Sequence, residues 1–183
     1  MVKKILVALD GSPSSNKALD LAIQLARSAG AHLVALAVIS SEPLVEADID
    51  LALAEYQPEV SALLVDPAFA PTAALESAPG RPNREVPRPT SIQLHKAMAE
   101  HVLAQANNTA RRLNFPGMET LARSGDPAAT ILAFAAAEAP DLLVMGSRGL
   151  SQQAKTIMGT VSYRVVHEVA CPVIIVKSLE LED

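Results

Sequence analysis

Short unbroken apolar runs alternate along this chain with longer stretches in which apolar residues recur every three or four positions. The runs lack the alternation of a half-exposed strand, so they read as strands buried on both faces, the habit of a parallel sheet. Such runs occupy residues 3–9, 32–39, 117–123, 142–145 and 173–177. Between them, helical spacing predicts helices over 14–29, 92–113, 128–139 and 161–169.

Local punctuation agrees with these limits. Ser12 and Asp126 each precede a proline, giving an N-cap followed by the one residue that loses nothing at the first helical position. Gly30 is placed to close the first helix. The helix over 128–139 is apolar nearly all round, which predicts deep packing. Strand and helix alternate, so the expected architecture is α/β: a doubly wound five-stranded parallel sheet with helices on both faces and right-handed crossovers.

The alternation lapses between Glu42 and Thr90. Eight of the chain's 13 prolines lie there, with nine acidic residues against three arginines. Residues 46–56 and 59–65 are apolar enough for short helices, whereas 67–89 reads as extended, since proline disfavours helix at itself and just before. This is an acidic, Pro-rich insertion at about 42–90 within a single domain spanning 1–183. It is either a tolerated surface excursion or a lid or partner-binding arm.

Composition narrows the class. At 183 residues, half of them hydrophobic but only 3% aromatic, the chain can build a full core, and that core must be aliphatic. A net charge of −5 argues against non-specific nucleic-acid binding. No apolar run approaches the roughly 18 residues of a membrane span. The chain opens directly in a strand pattern without a leader-like segment, and Cys171 has no second cysteine to pair with. A cytoplasmic location is the expectation.

The chemistry concentrates in DLLVMGSRGLSQQAKTIMGTVS, residues 141–162. An apolar strand ends at Gly146, Gly149 follows, and Gly159-Thr160 then opens a helix. Glycines let backbone approach a ligand closely. A helix start offers unpaired N–H groups and partial positive charge, so together they suit a phosphate and suggest a nucleotide site. Neither a Walker A loop nor G-x-G-x-x-G is present. Taken alone, G-x-x-G-x9-G-[ST] also fits two turns that happen to need glycine.

Context favours the site. The opening KKILVALDGSPSS, the GDPA of residues 125–128, the DLLVMGSRG of 141–149 and the closing CPVIIV resemble the universal stress protein family, in particular its ATP-binding members. The resemblance implies sheet order 3-2-1-4-5 and a homodimer formed through the last strand, residues 173–177. It implies that Ala8, Leu9 and Asp10 face adenine and ribose and that Val38 lines the adenine pocket. Met145, Gly146, Ser147, Arg148 and Gly149 would meet ribose and phosphate. Gly159, Thr160, Val161 and Ser162 would hold the outer phosphates through backbone N–H groups and two hydroxyls. The implied ligand is ATP with Mg²⁺, the metal reached by Asp10 through water and by no protein ligand set. The insertion departs from the family pattern, which gives it no role.

Several residues carry two readings. Asp10 is a ligand contact or an Asx-turn residue bonding its own backbone. Arg148 is a phosphate partner or a solvated cation. The four histidines, 32, 95, 101 and 167, lack metal-ligand spacing, and Cys171 reads as a buried inert thiol. With no base placed beside a nucleophile, the leading function is a regulatory ATP-binding universal stress protein in stress response or signalling. The alternatives are an ATP-dependent enzyme on the same fold (a slow ATPase or a transferase) and a non-nucleotide dimeric adaptor whose acidic insertion docks an unidentified protein.

Overall fold

The computed structural model describes residues 1–41, 90–149 and 158–177. The insertion over 42–89, residues 150–157 of the glycine spacer and the tail from 178 lie outside the described residues. In chain order the elements are β1 (Lys4–Leu9), α1 (Pro13–Ala29), β2 (His32–Ser40), α2 (Ser91–Arg112) and β3 (Met118–Gly125). Then come α3 (Pro127–Glu138), β4 (Leu142–Gly146), α4 (Thr160–Glu168) and β5 (Val173–Val176).

The strands form one all-parallel sheet in the order β3-β2-β1-β4-β5. This is the architecture and order anticipated. The caps form as the sequence suggests. Ser12 Oγ accepts from the Ser15 amide at 3.2 Å and Asp126 Oδ1 from the Ala129 amide at 2.8 Å, each just ahead of a first-turn proline. Gly30 ends α1 at φ 63°, a left-handed conformation that costs glycine nothing. Thr90, at the border of the insertion, is the N-cap of α2 and forms a capping box with Gln93.

Two cores sandwich the sheet. Ile5, Val7, Leu9 and Val144 pack with Leu19 and Ile23 of α1 and Val102 of α2 on one face. On the other, Leu6, Ala8, Leu36 and Met145 pack with Ile131 of α3 and Val165 of α4. One expectation is corrected here. Helix α3 is not deeply packed: only Ala128, Ile131 and Ala135 of it are buried. Its outer face carries alanines 129, 133, 136 and 137 in the open. Alanine is apolar yet small, so an all-alanine face loses little by staying in water and does not report burial.

At the amino ends of the strands, opposite the site, one carboxylate ties β1 to β4. Asp141 Oδ2 accepts from the Lys3 amide at 2.6 Å and the Lys4 amide at 2.9 Å. Those two bonds hold the Asp141 carboxyl below the usual carboxylate range. A group whose pKa falls on folding contributes fully above its unfolded value, about 3.9, and loses that contribution as pH drops through the folded one. Asp141→Asn is therefore expected to melt lower than wild type near neutral pH, with the gap narrowing as pH falls below about 4. A gap independent of pH in paired thermal melts would refute the charge-assisted tie.

Candidate functional site

Order reverses between β1 and β4: β1 runs outward through β2 to β3, whereas β4 runs outward to β5. Open parallel sheets leave a crevice beyond the carboxyl ends of the strands at such a reversal. Ala8 of β1 and Met145 of β4 are register partners there, and the two loops that leave these strands face one another.

The β1–α1 loop is built on Asp10. Its Oδ1 accepts from the Ser12 amide at 3.0 Å, an Asx turn. Its Oδ2 points toward the facing loop, since a Cβ built on Gly149 would lie 2.9 Å from it. The Asx-turn reading of Asp10 holds for one oxygen, and the other is directed at the facing loop beside Gly149.

The β4–α4 loop is held by hydrogen bonds from three directions. Ser147 donates its amide to Val176 O at 2.8 Å, and Gly159 donates its amide to Ser147 O at 2.7 Å. Ser162 Oγ, itself buried, donates to Gly146 O at 3.0 Å, so its proton serves the loop backbone. From α1, Ser14 Oγ donates to Arg148 O at 2.6 Å and Ser12 Oγ to the same oxygen at 3.1 Å. The side chain of Arg148 is exposed, as is Thr160 in the first turn of α4.

Gly159 is the N-cap of α4 and, having no side chain, makes no side-chain cap bond there. By helix geometry the N–H groups of Thr160, Val161 and Ser162 have no intrahelical acceptor. They give the crevice a cluster of donors and the positive end of a helix dipole.

The residues singled out from sequence do not all present side chains to one place. Ala8, Val38, Met145 and Val161 share the α3/α4 face of the sheet, with Met145 buried in its core and Val38 and Val161 half-buried beside it. Leu9 packs on the opposite face among α1 residues, so only its main chain borders the crevice. Ser12 and Ser14 were not among the sequence candidates for the site, although three serines around Pro13 are more hydroxyls than one cap uses. Among the described residues no group of three His, Cys, Asp or Glu side chains is arranged to hold a metal. Cys171, well away from this crevice in the turn before β5, is half-buried, and desolvation pushes its thiol above the usual range. It is a poor nucleophile at neutral pH.

Comparison with known proteins follows the same lines. The model of the universal stress protein family matches residues 1–177. Universal stress protein YxiE of Bacillus subtilis is 30% identical over 177 residues, covering 97% of the chain and 100% of that protein. Among solved structures, UspA of Lactobacillus plantarum superposes with a TM-score of 0.65 at 21% identity, over 96% of this chain and 97% of that one. A universal stress protein family protein of Arabidopsis thaliana with AMP bound gives 0.58 at 22% identity, over 97% and 93%. A universal stress protein in complex with cAMP gives 0.58 at 24%, over 96% and 97%. Matched by the family model along nearly its whole length, and by a relative of that family from end to end, the chain belongs to the universal stress protein family.

Proposed function

We propose that this chain binds an adenine nucleotide, ATP with Mg²⁺, in the crevice between β1 and β4, and that it works as a cytoplasmic regulatory homodimer. The observation that carries this reading is a convergence at the switch point. The Gly146–Gly149 loop, one carboxylate oxygen of Asp10 and the glycine-capped start of α4 all border the same space. Solved relatives hold AMP and cAMP, which makes an adenine ring the natural occupant of the apolar side. Ala8 and Val38 would meet that ring, with Leu9 contributing main chain and Met145 bordering the ribose. Asp10 would bond ribose, or meet phosphate-bound Mg²⁺ through water, because a lone carboxylate cannot replace the cation's shell.

ATP is favoured over AMP because the donors of Thr160, Val161 and Ser162 lie beyond the glycine loop, where further phosphates would reach. Ser147, Arg148 and Gly149 would contact the inner phosphates and the ribose. Any hydrolysis would be slow, since among the described residues no histidine or paired carboxylate borders the crevice to position water. Nucleotide then acts by linkage: it stabilises the conformation that binds it and so alters the surface offered to a partner. The exposed edge for dimerisation is β5, whose four residues are all half-buried and which pairs with β4 alone in the sheet.

Calorimetric titration of nucleotide-stripped protein with ATP and Mg²⁺ is the test, with AMP alongside. Micromolar or tighter binding, stronger for ATP, is expected. Failure to bind either nucleotide at millimolar concentration would refute the reading and leave the glycines as architecture.

A further inference from the structure

Two serines at the start of α1 sit in an unusual position for helix-capping residues. Ser12 and Ser14 are 1% and 2% exposed, and both hydroxyls reach across to one acceptor in a distant loop, the carbonyl of Arg148. Capping accounts for only part of this. Ser12 Oγ does accept from the Ser15 amide, but Ser14 Oγ has no capping bond, and its 2.6 Å contact with Arg148 O is the shorter of the two.

That carbonyl belongs to the peptide linking Arg148 to Gly149. The described residues contain no cis peptide bond. In a trans peptide the C=O and N–H vectors oppose one another. With its oxygen drawn to the amino end of α1, where the helix dipole also favours it, this peptide must direct the Gly149 N–H away from α1. The same nitrogen lies 3.7 Å from the point a Cβ on Gly159 would occupy, beside the start of α4. The loop amide and the helix amides are thereby turned toward one space. Without the hydroxyls, a loop carrying glycine at 149 could rotate this peptide at small cost and offer a carbonyl oxygen to an anion instead.

We propose that Ser12 and Ser14 are positioning residues for phosphate: they fix the Arg148–Gly149 peptide with its N–H presented to the ligand. The inference rests on the nucleotide reading given above and adds to it a regulator of affinity that touches no ligand. Ser14 is the cleaner probe, because Ser12 also caps α1. Ser15 is the matched control. It is equally buried, its hydroxyl donates to Ser12 O at 3.1 Å and lies 3.5 Å from the Asp10 amide, and it makes no bond to Arg148.

The experiment compares wild type, Ser14→Ala and Ser15→Ala by ATP titration and by the carbonyl ¹³C resonance of Arg148 in labelled, nucleotide-free protein. Ser14→Ala should weaken ATP about tenfold, the worth of one well-placed hydrogen bond, whereas Ser15→Ala should stay within about twofold. The Arg148 carbonyl signal should move upfield in Ser14→Ala and stay in place in Ser15→Ala. Should Ser14→Ala fail to fold, Ser14→Cys, bulkier by its sulfur and a weaker donor, fills the site instead, and the same shifts are expected of it. Equal affinity losses in both variants, or an unmoved carbonyl signal in the Ser14 variant, would overturn the proposal while leaving nucleotide binding intact. If wild type itself binds no ATP, the nucleotide reading falls. The carbonyl signal then decides the loop orientation alone.

Discussion

Replacing Gly159 with valine is expected to leave the fold standing and to remove nucleotide binding. Gly159 sits at φ −72° and ψ 161°, extended backbone that any residue adopts. A Cβ there would find ordinary contacts, 3.6 Å from Arg148 Cα and 3.7 Å from the Gly149 amide nitrogen. The protein therefore has no conformational need of glycine at this point. The added isopropyl group would project into the gap between the glycine loop and α4, where the donors converge. Losing two charge-assisted hydrogen bonds at roughly 1.5–3 kcal/mol each weakens binding by a hundredfold or more. The cost to stability is limited to a poorer N-cap, about 1 kcal/mol, or a few degrees of melting temperature. Titration and a thermal melt of one sample check both halves. A folded Gly159→Val protein with wild-type affinity would show that the ligand does not pass this residue.

Gly146 should behave in the opposite way. Its missing side chain is occupied by another part of the protein: a Cβ would collide with Ser14 Oγ and come within 2.8 Å of the Ser15 amide nitrogen and 3.0 Å of the Ser14 carbonyl carbon. Two of those atoms are helix backbone, which cannot swing aside. Gly146→Ala is expected to cost about 2–3 kcal/mol by overpacking, lowering the melting temperature by about 5 °C or more. Denaturant titration should show the midpoint falling at an unchanged slope. A melting temperature within a degree of wild type would mean that β4 and α1 separate easily and that Gly146 is not a packing glycine. Two positions of one spacing motif thus differ in what they require: close packing at Gly146 and, on the proposed nucleotide reading, access at Gly159.

That division marks where sequence reading stops. The strands, helices and caps were legible because each has a local cause: an unbroken apolar run, a helical period, or Ser12-Pro13 and Asp126-Pro127 at helix starts. The candidate site was legible only as residue types at a spacing. Which face a residue serves was not. In KILVAL every position after the lysine is apolar, so the period of two is invisible, and nothing local says that Ala8 faces α3 and α4 while Leu9 faces α1. The contact of Ser14 with Arg148 spans 134 residues and has no local signal beyond a surplus of serines. Alanine-rich α3 departs from expectation for a related reason: apolar character alone does not imply burial where each side chain has so little area to gain from it.

The strand order has a kinetic consequence as well. β1 is the hub of the sheet, and its flank toward β2 can close early, across a single helix. Its flank toward β4 must wait for a segment some 137 residues away, as the Lys4–Asp141 tie records. Closing so large a loop is slow, because chain entropy is lost before the new contacts form. The seam between β1 and β4 is therefore the natural late step of folding, and the crevice exists only once that seam has closed. Whatever occupies it selects chains that have finished folding over those held at the half-sheet stage.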